Sequence, residues 1–413
     1  DHGGGDDHGG GGAHGNPDQH ASHSAGFLLI CFLSLAILLG VVSEYALVRY
    51  SLPVPYTVLL FVEGVLLALW HDCTGGGLGV LSASLSRWID IDPHVLLYSF
   101  LPLLLFGDAM NLNVHHVRQK IGQCLVLAFP GVLFGTFVTG GLALGVLPYG
   151  WDFNTAMTYG AISAATDPVA VVALLNELGA SAGLTMAITG ESLLNDGTAM
   201  VLFSLFFSRV AESGGPEGFF GIVGFFLQMA VGGPLLGLFF GFGALGLIML
   251  LNSRKDAFSL GHSALVGQFS VTLGVAYLSF FVGEYVCKVS GILCTVTAAV
   301  VLAAYAHPFI HDHEGLHHLW HTLEYLGNTT IFLLAGLIVG ESMVRQDIHA
   351  GDFGWLLIMW VLAIVVRACM LLLAWPALQR LEGMHFAGLS KVDGVVMCWG
   401  GLRGAVGLSL AIS

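Results

Sequence analysis

Three side chains that can take part in ion or proton chemistry lie close together in residues 190–197, GESLLNDG. They are Glu191, Asn195 and Asp196. On a helix, Glu191 and Asn195 share one face, whereas Asp196 lies about 100° further round. A carboxylate binds a metal ion when it is ionised and a proton when it is neutral. Asp196 is therefore a candidate for a group that exchanges one for the other.

A second candidate group lies in ATDPVAVV, where Thr166 and Asp167 precede Pro168. A proline removes a backbone N–H donor and disfavours helix at the residue before it. The stretch CWGGLRGAVGLSL carries Arg403 among four glycines and favours a second unwound segment. A broken helix exposes half-helix ends with partial charges of about half a unit. We expect Asp167 to neutralise the positive ends and Arg403 the negative ends.

Arg367 lies within the apolar stretch LAIVVRACML. A charge buried there needs a partner, and Glu191 is the natural one because each group alone would be an uncompensated charge. This pairing leaves Asp196 without an obvious Lys or Arg, which suits a cation site. The structural alternative is that Asp167 and Asp196 are satisfied polar residues that hold helices together.

The elements that carry these residues have the composition of a membrane protein. Of 413 residues, 56% are hydrophobic and 10% are charged, and the mean hydropathy is +0.83. With 13 Lys and Arg and a net charge of −14, the chain lacks the clustered positive charge that nucleic-acid binding requires. A spanning helix needs about 20 apolar residues. We predict twelve spans, at residues 26–49, 54–71, 93–111, 119–147, 154–177, 185–212, 218–251, 259–281, 284–306, 320–342, 353–382 and 389–413.

The predicted organisation is a tail followed by one membrane domain. Residues 1–25 are rich in Gly, His and Asp, have almost nothing to bury and are expected to be disordered. Residues 26–413 are expected to form the transmembrane domain, and both chain ends look like cuts through a longer polypeptide. If the repeats are spans one to six and eight to thirteen, the two breaks occupy equivalent spans and the thirteenth is missing. Paired breaks in two inverted repeats are typical of transporters.

Four stretches together resemble one known family. They are ATDPVAVVALLNELGAS, GESLLNDGTAMVLF, LGNTTIFLLAGLIVGES and WGGLRGAVGLSL. In these motifs the chain is similar to the monovalent cation/proton antiporters, which include the sodium/proton exchangers and the salt-overly-sensitive-type antiporters of plant plasma membranes. The details NDGTA and GASAGL resemble the plant-type and sperm-type branches. The likeness covers nearly the whole of the predicted spanning region.

The resemblance implies a fold and a function. The fold would be an all-α membrane protein, an inverted-repeat antiporter bundle with crossed discontinuous helices, whose last helix is missing from this chain. The function would be secondary active transport, not enzyme catalysis, in which Na⁺ or another monovalent cation is exchanged for H⁺ by alternating access. The resemblance also implies no cofactor besides the transported ions, a homodimer, a multi-pass location in the plasma membrane, and possible regulatory domains beyond Ser413.

Single residues also receive roles from the resemblance. Asp196 is implied as the carrier of the ion and the proton, and Asp167 as a second ligand of Na⁺. The resemblance also implies Asn195 as the neighbour of the carrier, Thr166 and Pro168 at the first break, and Arg403 at the second break. It further implies a salt bridge between Glu191 and Arg367.

One position departs from the family pattern. Where relatives usually read FLPALLFE, this chain reads FLPLLLFGDAM, so that Gly107 occupies the acidic position and Asp108 follows it. The role of an acid at this point therefore remains open.

Two other functions remain open on the sequence. A cation channel would use the breaks as a filter without proton coupling, although pores normally repeat one site around a ring of subunits. The stretch HEGLH, residues 313–317, matches a pattern in which two His one turn apart hold zinc for hydrolysis. It follows Pro308 in a predicted short loop and contains Gly315. A solvated loop, or incidental metal or proton binding, is therefore the preferred interpretation.

Overall fold

All regular secondary structure described in the protein is helical. This computed structural model describes residues 17–51, 54–74, 79–167, 171–172, 174–175, 179–211, 218–253, 261–344, 348–381, 391–401 and 405–412. The first helices are α1 (Pro17–Tyr50), α2 (Tyr56–Cys73), α3 (Val80–Ile89), α4 (Pro93–Met110), α5 (Val114–Val126), α6 (Val132–Val146), α7 (Phe153–Ala164) and α8 (Ala182–Val210). The others are α9 (Gly218–Ser253), α10 (Gly261–Phe281), α11 (Gly291–Tyr305), α12 (His313–Val344), α13 (Ala350–Arg380), α14 (Lys391–Trp399) and α15 (Ala405–Ile412).

Within these described residues, seven helices are long and apolar enough to cross a membrane. One further span is possible if α3 and α4, which meet at a bend of 82°, count as one. The protein is therefore an all-α, multi-pass membrane protein, as predicted. Several boundaries differ from the prediction: α1 begins at Pro17, inside the predicted tail, α3 occupies a predicted loop, and α12 begins at His313, before the predicted span 320–342. Helix α3 has only ten residues, several of them polar, and so carries no signal of a span.

Side chains cap two helices that frame the candidate site. At the start of α8, Ser181 Oγ accepts a hydrogen bond from Leu184 N at 3.3 Å. At the start of α7, the exposed carboxylate of Asp152 accepts hydrogen bonds from the backbone N–H groups of Asn154 and Thr155. Hydrogen bonds from Thr155 hold the pKa of Asp152 below its usual value. These caps satisfy N–H groups that have no partner within the helix.

The described residues include the helix ends that border both predicted interruptions. Helix α7 ends at Ala164, and residues 165–167 are not helical. Helix α14 ends at Trp399, residues 400–401 are not helical, and α15 begins at Ala405. Pro168 and Arg403, which were predicted to act at these breaks, lie outside the described residues.

The two interrupted segments pack directly against each other. A methyl group at Gly407 in α15 would lie 3.6 Å from Ala165 Cβ. A methyl group at Gly400 would lie 3.1 Å from Val171 Cγ1. Each segment thus passes the other at its break, as expected for crossed discontinuous helices.

Helices α2 and α12 approach each other at backbone distance. A methyl group at Gly64 would overlap the carbonyl oxygen of Leu333, and one at Gly336 would overlap that of Phe61. Small residues allow such close helix packing in membranes, where water does not drive helices together. This contact holds α12 against α2.

The largest buried cluster fixes α12 against α4. The rings of Phe106 and Trp320 lie 4.9 Å apart, and both side chains are fully buried. Trp320 Nε1 also donates a hydrogen bond to Thr272 Oγ1 of α10 at 3.2 Å. The residues that follow Phe106 in α4 therefore lie beside those that follow Trp320 in α12.

Candidate functional site

Helix α8 directs its polar residues into two separate cavities. Glu191 and Asn195 line a small cavity of about 30 Å³ together with Arg367. Ser192 and Asp196 line a larger cavity of about 480 Å³. Because residues four apart share a face of a helix, each cavity receives one such pair. The two pairs therefore lie on different faces of α8, as the spacing of Glu191, Asn195 and Asp196 predicts.

Helix α8 also holds the broken end of α7. Asn195 Nδ2 donates hydrogen bonds to Ala164 O at 3.0 Å and to Thr166 Oγ1 at 2.9 Å. Ser192 Oγ donates a hydrogen bond to Thr166 O. The last carbonyl groups of a helix have no partner within it. Asn195 and Ser192 therefore stabilise the break, and Ser192 is a residue that the sequence analysis did not single out.

The larger cavity is lined by four carboxyl groups. They belong to Asp108, Asp167, Asp196 and Glu324. Asp196 is 7% exposed, and its Oδ1 has no hydrogen-bond partner among the described residues. Thr166 contributes further oxygen to the lining. The cavity therefore presents the hard oxygen ligands that small cations prefer.

No Lys or Arg is among the described residues that line this cavity. Two unit charges of the same sign repel by about 4 kcal/mol at a separation of about 4 Å and an effective dielectric constant of about 20. Four ionised carboxylates in one cavity would therefore be strongly destabilising. Protons or cations must compensate at least part of this charge.

Arg367 joins α8 to the second break. Its Nη1 lies 3.0 Å from Glu191 Oε1, with side chains 11% and 2% exposed. Its Nε donates a hydrogen bond to Met397 O at 3.0 Å, close to the end of α14. A positive charge is favourable at the carboxyl end of a helix. In the described structure this charge comes from Arg367, whereas the sequence analysis assigned such a role only to Arg403.

Two carboxyl groups of the larger cavity were missed or left open by the sequence analysis. Asp108 had no assigned role, and Glu324 was not singled out. Asp108 comes from α4 and Glu324 from α12, and both side chains line the larger cavity. The available signal was the general one that an ionisable residue at membrane depth indicates a function.

The HEGLH stretch lies on a helix, not in the predicted loop. Helix α12 begins at His313, and the stretch forms its first turns. Among the described residues, no three His, Cys, Asp or Glu side chains converge as ligands of a metal ion. The stretch therefore lacks the third protein ligand that zinc hydrolysis needs within the described part of the chain.

Comparison with known proteins gives consistent matches along the chain. The sequence profile of the family described as sodium/hydrogen exchanger, transmembrane, matches residues 23–413. Sodium/hydrogen exchanger 8 of Arabidopsis thaliana is 36% identical over 389 residues, which are 93% of this chain and 49% of the relative. Sodium/hydrogen exchanger 7 of the same plant is 34% identical over 389 residues, 93% of this chain and 32% of the relative. The chain thus spans about half or less of the length of these relatives.

A solved structure has the same fold. The sodium proton antiporter MjNhaP1 from Methanocaldococcus jannaschii aligns with a TM-score of 0.69 and 18% sequence identity. The alignment covers 94% of this chain and 87% of that protein. At this level of identity the likeness concerns the architecture of the helices.

Proposed function

The chain belongs to the sodium/hydrogen exchanger family, and on that premise we propose that it exchanges Na⁺, or another monovalent cation, for H⁺ across a membrane. The observation that carries the proposal is the Asp196 carboxylate, which is buried, lines the larger cavity and has an unpartnered oxygen. A group in this position can be neutralised by a cation or by a proton. It cannot hold both at once, and this competition couples the two fluxes.

The residues around Asp196 have distinct roles in this proposal. Asp167 and Thr166 line the same cavity and would supply further oxygen ligands to the cation. Asn195 would not bind the ion through its amide nitrogen, because that nitrogen donates to the broken end of α7. It would instead hold the break in place beside Asp196. Pro168 and Arg403 are proposed to maintain the two interruptions.

Alternating access supplies the transport step. The cavity lining includes His321 and Asn111, which are both exposed, and ions are proposed to enter from their side. After loading, the segments that contain the site would move against the remaining helices, so that Asp196 faces the opposite side. An empty, ionised Asp196 in a closed cavity would be an uncompensated buried charge. The protein without a bound ion therefore rarely changes between the two conformations. Coupled exchange is thus favoured over an uncoupled leak of ions.

The proposal predicts that cation and proton compete for one site. Below the pKa of the carboxyl group, its ionised fraction falls tenfold per pH unit. We expect the apparent affinity of the purified protein for Na⁺ to fall about tenfold per unit over that range. Calorimetry between about pH 5 and 8 measures this affinity. An affinity that does not change across that window would contradict the proposal.

The variant Asp196→Asn provides the complementary test. It keeps the shape of the side chain and removes its charge, so exchange in proteoliposomes should be abolished while the melting temperature is retained. Asp90→Asn is the matched control, because Asp90 is exposed at the end of α3 and lies outside the cavity. Proteoliposomes with Asp196→Asn that still move protons in response to a sodium gradient would contradict the assignment.

The finer properties follow from the same proposal. Transport requires no cofactor besides the two ions. A homodimer in the plasma membrane is proposed, and light scattering of the detergent-solubilised protein measures its mass. A channel would conduct Na⁺ without moving protons, so the proteoliposome assay separates that alternative directly.

A further inference from the structure

Helix α12 begins with a row of histidines at helical spacing. His313, His317 and His321 follow one another at intervals of four residues, and all three side chains are exposed. Residues four apart lie on the same face of a helix, with Cβ atoms about 5–6 Å apart. Two histidines at this spacing can hold one metal ion through their ring nitrogens. The row therefore contains two candidate pairs of metal ligands.

The ring contacts distinguish the two pairs. The ring of His313 stacks on that of His307, with centroids 4.0 Å apart, and would have to leave this stack to join His317 on an ion. The rings of His317 and His321 lie 6.3 Å apart and are nearly parallel, at 16°. Because both side chains are exposed, small rotations can bring one nitrogen of each ring to about 2.0–2.1 Å from a shared ion. The favoured pair thus lies one turn further along α12 than the pair in HEGLH.

His317 and His321 lie at the boundary between two cavities. His321 lines the larger cavity, which contains Asp196. His317 lines a neighbouring cavity of about 260 Å³, and Asn111 lines both cavities. An ion held between the two rings would therefore lie on the side of the larger cavity from which transported ions are proposed to enter.

The surroundings of the pair suit a divalent transition-metal ion. Imidazole is a preferred ligand of Zn²⁺, Cu²⁺ and Ni²⁺, whereas Mg²⁺ and Ca²⁺ prefer oxygen. The larger cavity is lined by four carboxyl groups, and no Lys or Arg is among its described lining residues. A cavity lined by negative charge raises the local concentration of cations. In the described part of the chain no third His, Cys, Asp or Glu converges with the pair, so water must complete the coordination of the ion, as it does at open zinc sites.

We infer that His317 and His321 bind one divalent transition-metal ion, represented by Zn²⁺, and that the bound ion inhibits exchange. In the binding step, each neutral imidazole donates the lone pair of one ring nitrogen to the ion, and water molecules leave the hydration shell of the ion. The bound ion obstructs the side of the larger cavity, and its positive charge repels Na⁺ that approaches Asp196. The binding of the metal does not depend on the proposed exchange function, whereas the inhibition rests on it.

Carbethoxylation measures metal binding at single histidines. Diethyl pyrocarbonate modifies accessible neutral imidazoles, and mass spectrometry of the digested protein gives the modified fraction at each residue. We expect Zn²⁺ to slow the modification of His317 and His321, because their nitrogen lone pairs are then occupied. His318 is the internal control, since it is exposed, adjacent in α12 and absent from the lining of both cavities. Its modification should not change.

Calorimetry with ZnCl₂ measures the affinity of the purified protein for the metal. His317→Gln and His321→Gln should each weaken binding to α12 by about tenfold or more, because one imidazole alone cannot chelate the ion. His318→Gln should leave the affinity unchanged. The five His of residues 1–25 are present in every variant, so the differences between variants report on the histidines of α12.

Proteoliposomes test the inhibition. Zn²⁺ on both sides of the membrane should slow sodium-driven proton movement by the wild-type protein. His317 is not among the lining residues of the larger cavity, so His317→Gln should exchange normally without zinc. This variant should need about tenfold more Zn²⁺ for the same inhibition, in proportion to its weaker binding. His318→Gln should respond to zinc as the wild-type protein does.

The outcomes separate this inference from the proposed function. If Zn²⁺ does not slow the modification of His317 and His321, or slows that of His318 equally, the pair is not a metal site and the inference is wrong. If Zn²⁺ inhibits His317→Gln as strongly as the wild-type protein, the inhibitory role of the pair is wrong. If the wild-type protein moves no protons in response to a sodium gradient without zinc, the proposed function fails, while the carbethoxylation result still decides whether the metal site exists.

Discussion

The ion pair between Glu191 and Arg367 can be tested by a double-mutant cycle. The single changes are Glu191→Gln and Arg367→Gln, and the double variant carries both. Each single change leaves one charge in a site where the side chains are 2% and 11% exposed. The double change leaves two neutral amides of similar length. The cycle therefore separates the cost of an unpaired charge from the loss of the contact itself.

The expected magnitudes follow from the geometry. Removing one member of a buried ion pair costs about 3–5 kcal/mol, because the remaining charge is uncompensated. In Arg367→Gln, the hydrogen bond from Nε to Met397 O is lost as well, which adds about 1–2 kcal/mol. The double variant should lose mainly that hydrogen bond and be destabilised by only about 1–3 kcal/mol. The two single effects should therefore exceed the double effect by several kcal/mol.

Unfolding in mixed micelles of a mild detergent and dodecyl sulfate gives the free energies for this cycle. Tryptophan fluorescence follows the transition, and reversibility is checked because membrane proteins often unfold irreversibly. Glu314→Gln serves as the charge control, since Glu314 is exposed in the first turn of α12. It should change the stability by less than about 0.5 kcal/mol.

A double variant whose destabilisation equals the sum of the two singles would refute this reasoning. Additivity within about 0.5 kcal/mol is the behaviour of sites that do not interact. It would mean that Glu191 and Arg367 are solvated separately. The role of Arg367 at the end of α14 would then have to rest on the Met397 contact alone.

Three further changes, together with Gly274→Ala as a control, test the local packing and capping. Gly401→Ala adds a methyl group that overlaps the side chain of Arg367, so the cost of Glu191→Gln, measured by the same unfolding assay, should shrink in that background. Gly64→Ala overlaps a backbone carbonyl and should lower stability by about 1–3 kcal/mol, whereas Gly274→Ala, which meets open space, should be neutral or stabilising by up to about 1 kcal/mol. Asp152→Ala should lower the melting temperature above about pH 4, and the difference should disappear as the pH falls through the lowered pKa of Asp152, because stabilisation by the ionised cap is lost there.

The helix interruptions could be predicted from the sequence because their causes are local. A proline and a cluster of glycines change the backbone preferences of their own segments, whatever surrounds them. The partners Glu191 and Arg367 could be predicted by a similar argument. Few basic residues lie in the apolar runs, so a buried carboxylate has few possible partners there.

Other features depend on how helices are rotated and placed against each other. No spacing rule indicates that Ser192 and Asn195 hold the end of α7, or that Arg367 reaches Met397 O. These contacts join segments that are separate in the chain. They exist because α7, α8 and α13 pack with particular faces together, and that packing depends on the shapes of many side chains at once.

The larger cavity shows most clearly which features the sequence predicts and which depend on how the helices pack. The residues alone predicted Asp196 as a candidate ion ligand, because it has no obvious Lys or Arg partner in the sequence, and the family resemblance added Asp167. Asp108 and Glu324 lie far apart in the sequence, and the sequence analysis assigned a role to neither. The packing of α4 on α12, which includes the contact between Phe106 and Trp320, brings both carboxyl groups to the lining of one cavity. The sequence by itself thus determines local chemistry, whereas a site shared between helices forms only when the helices pack together.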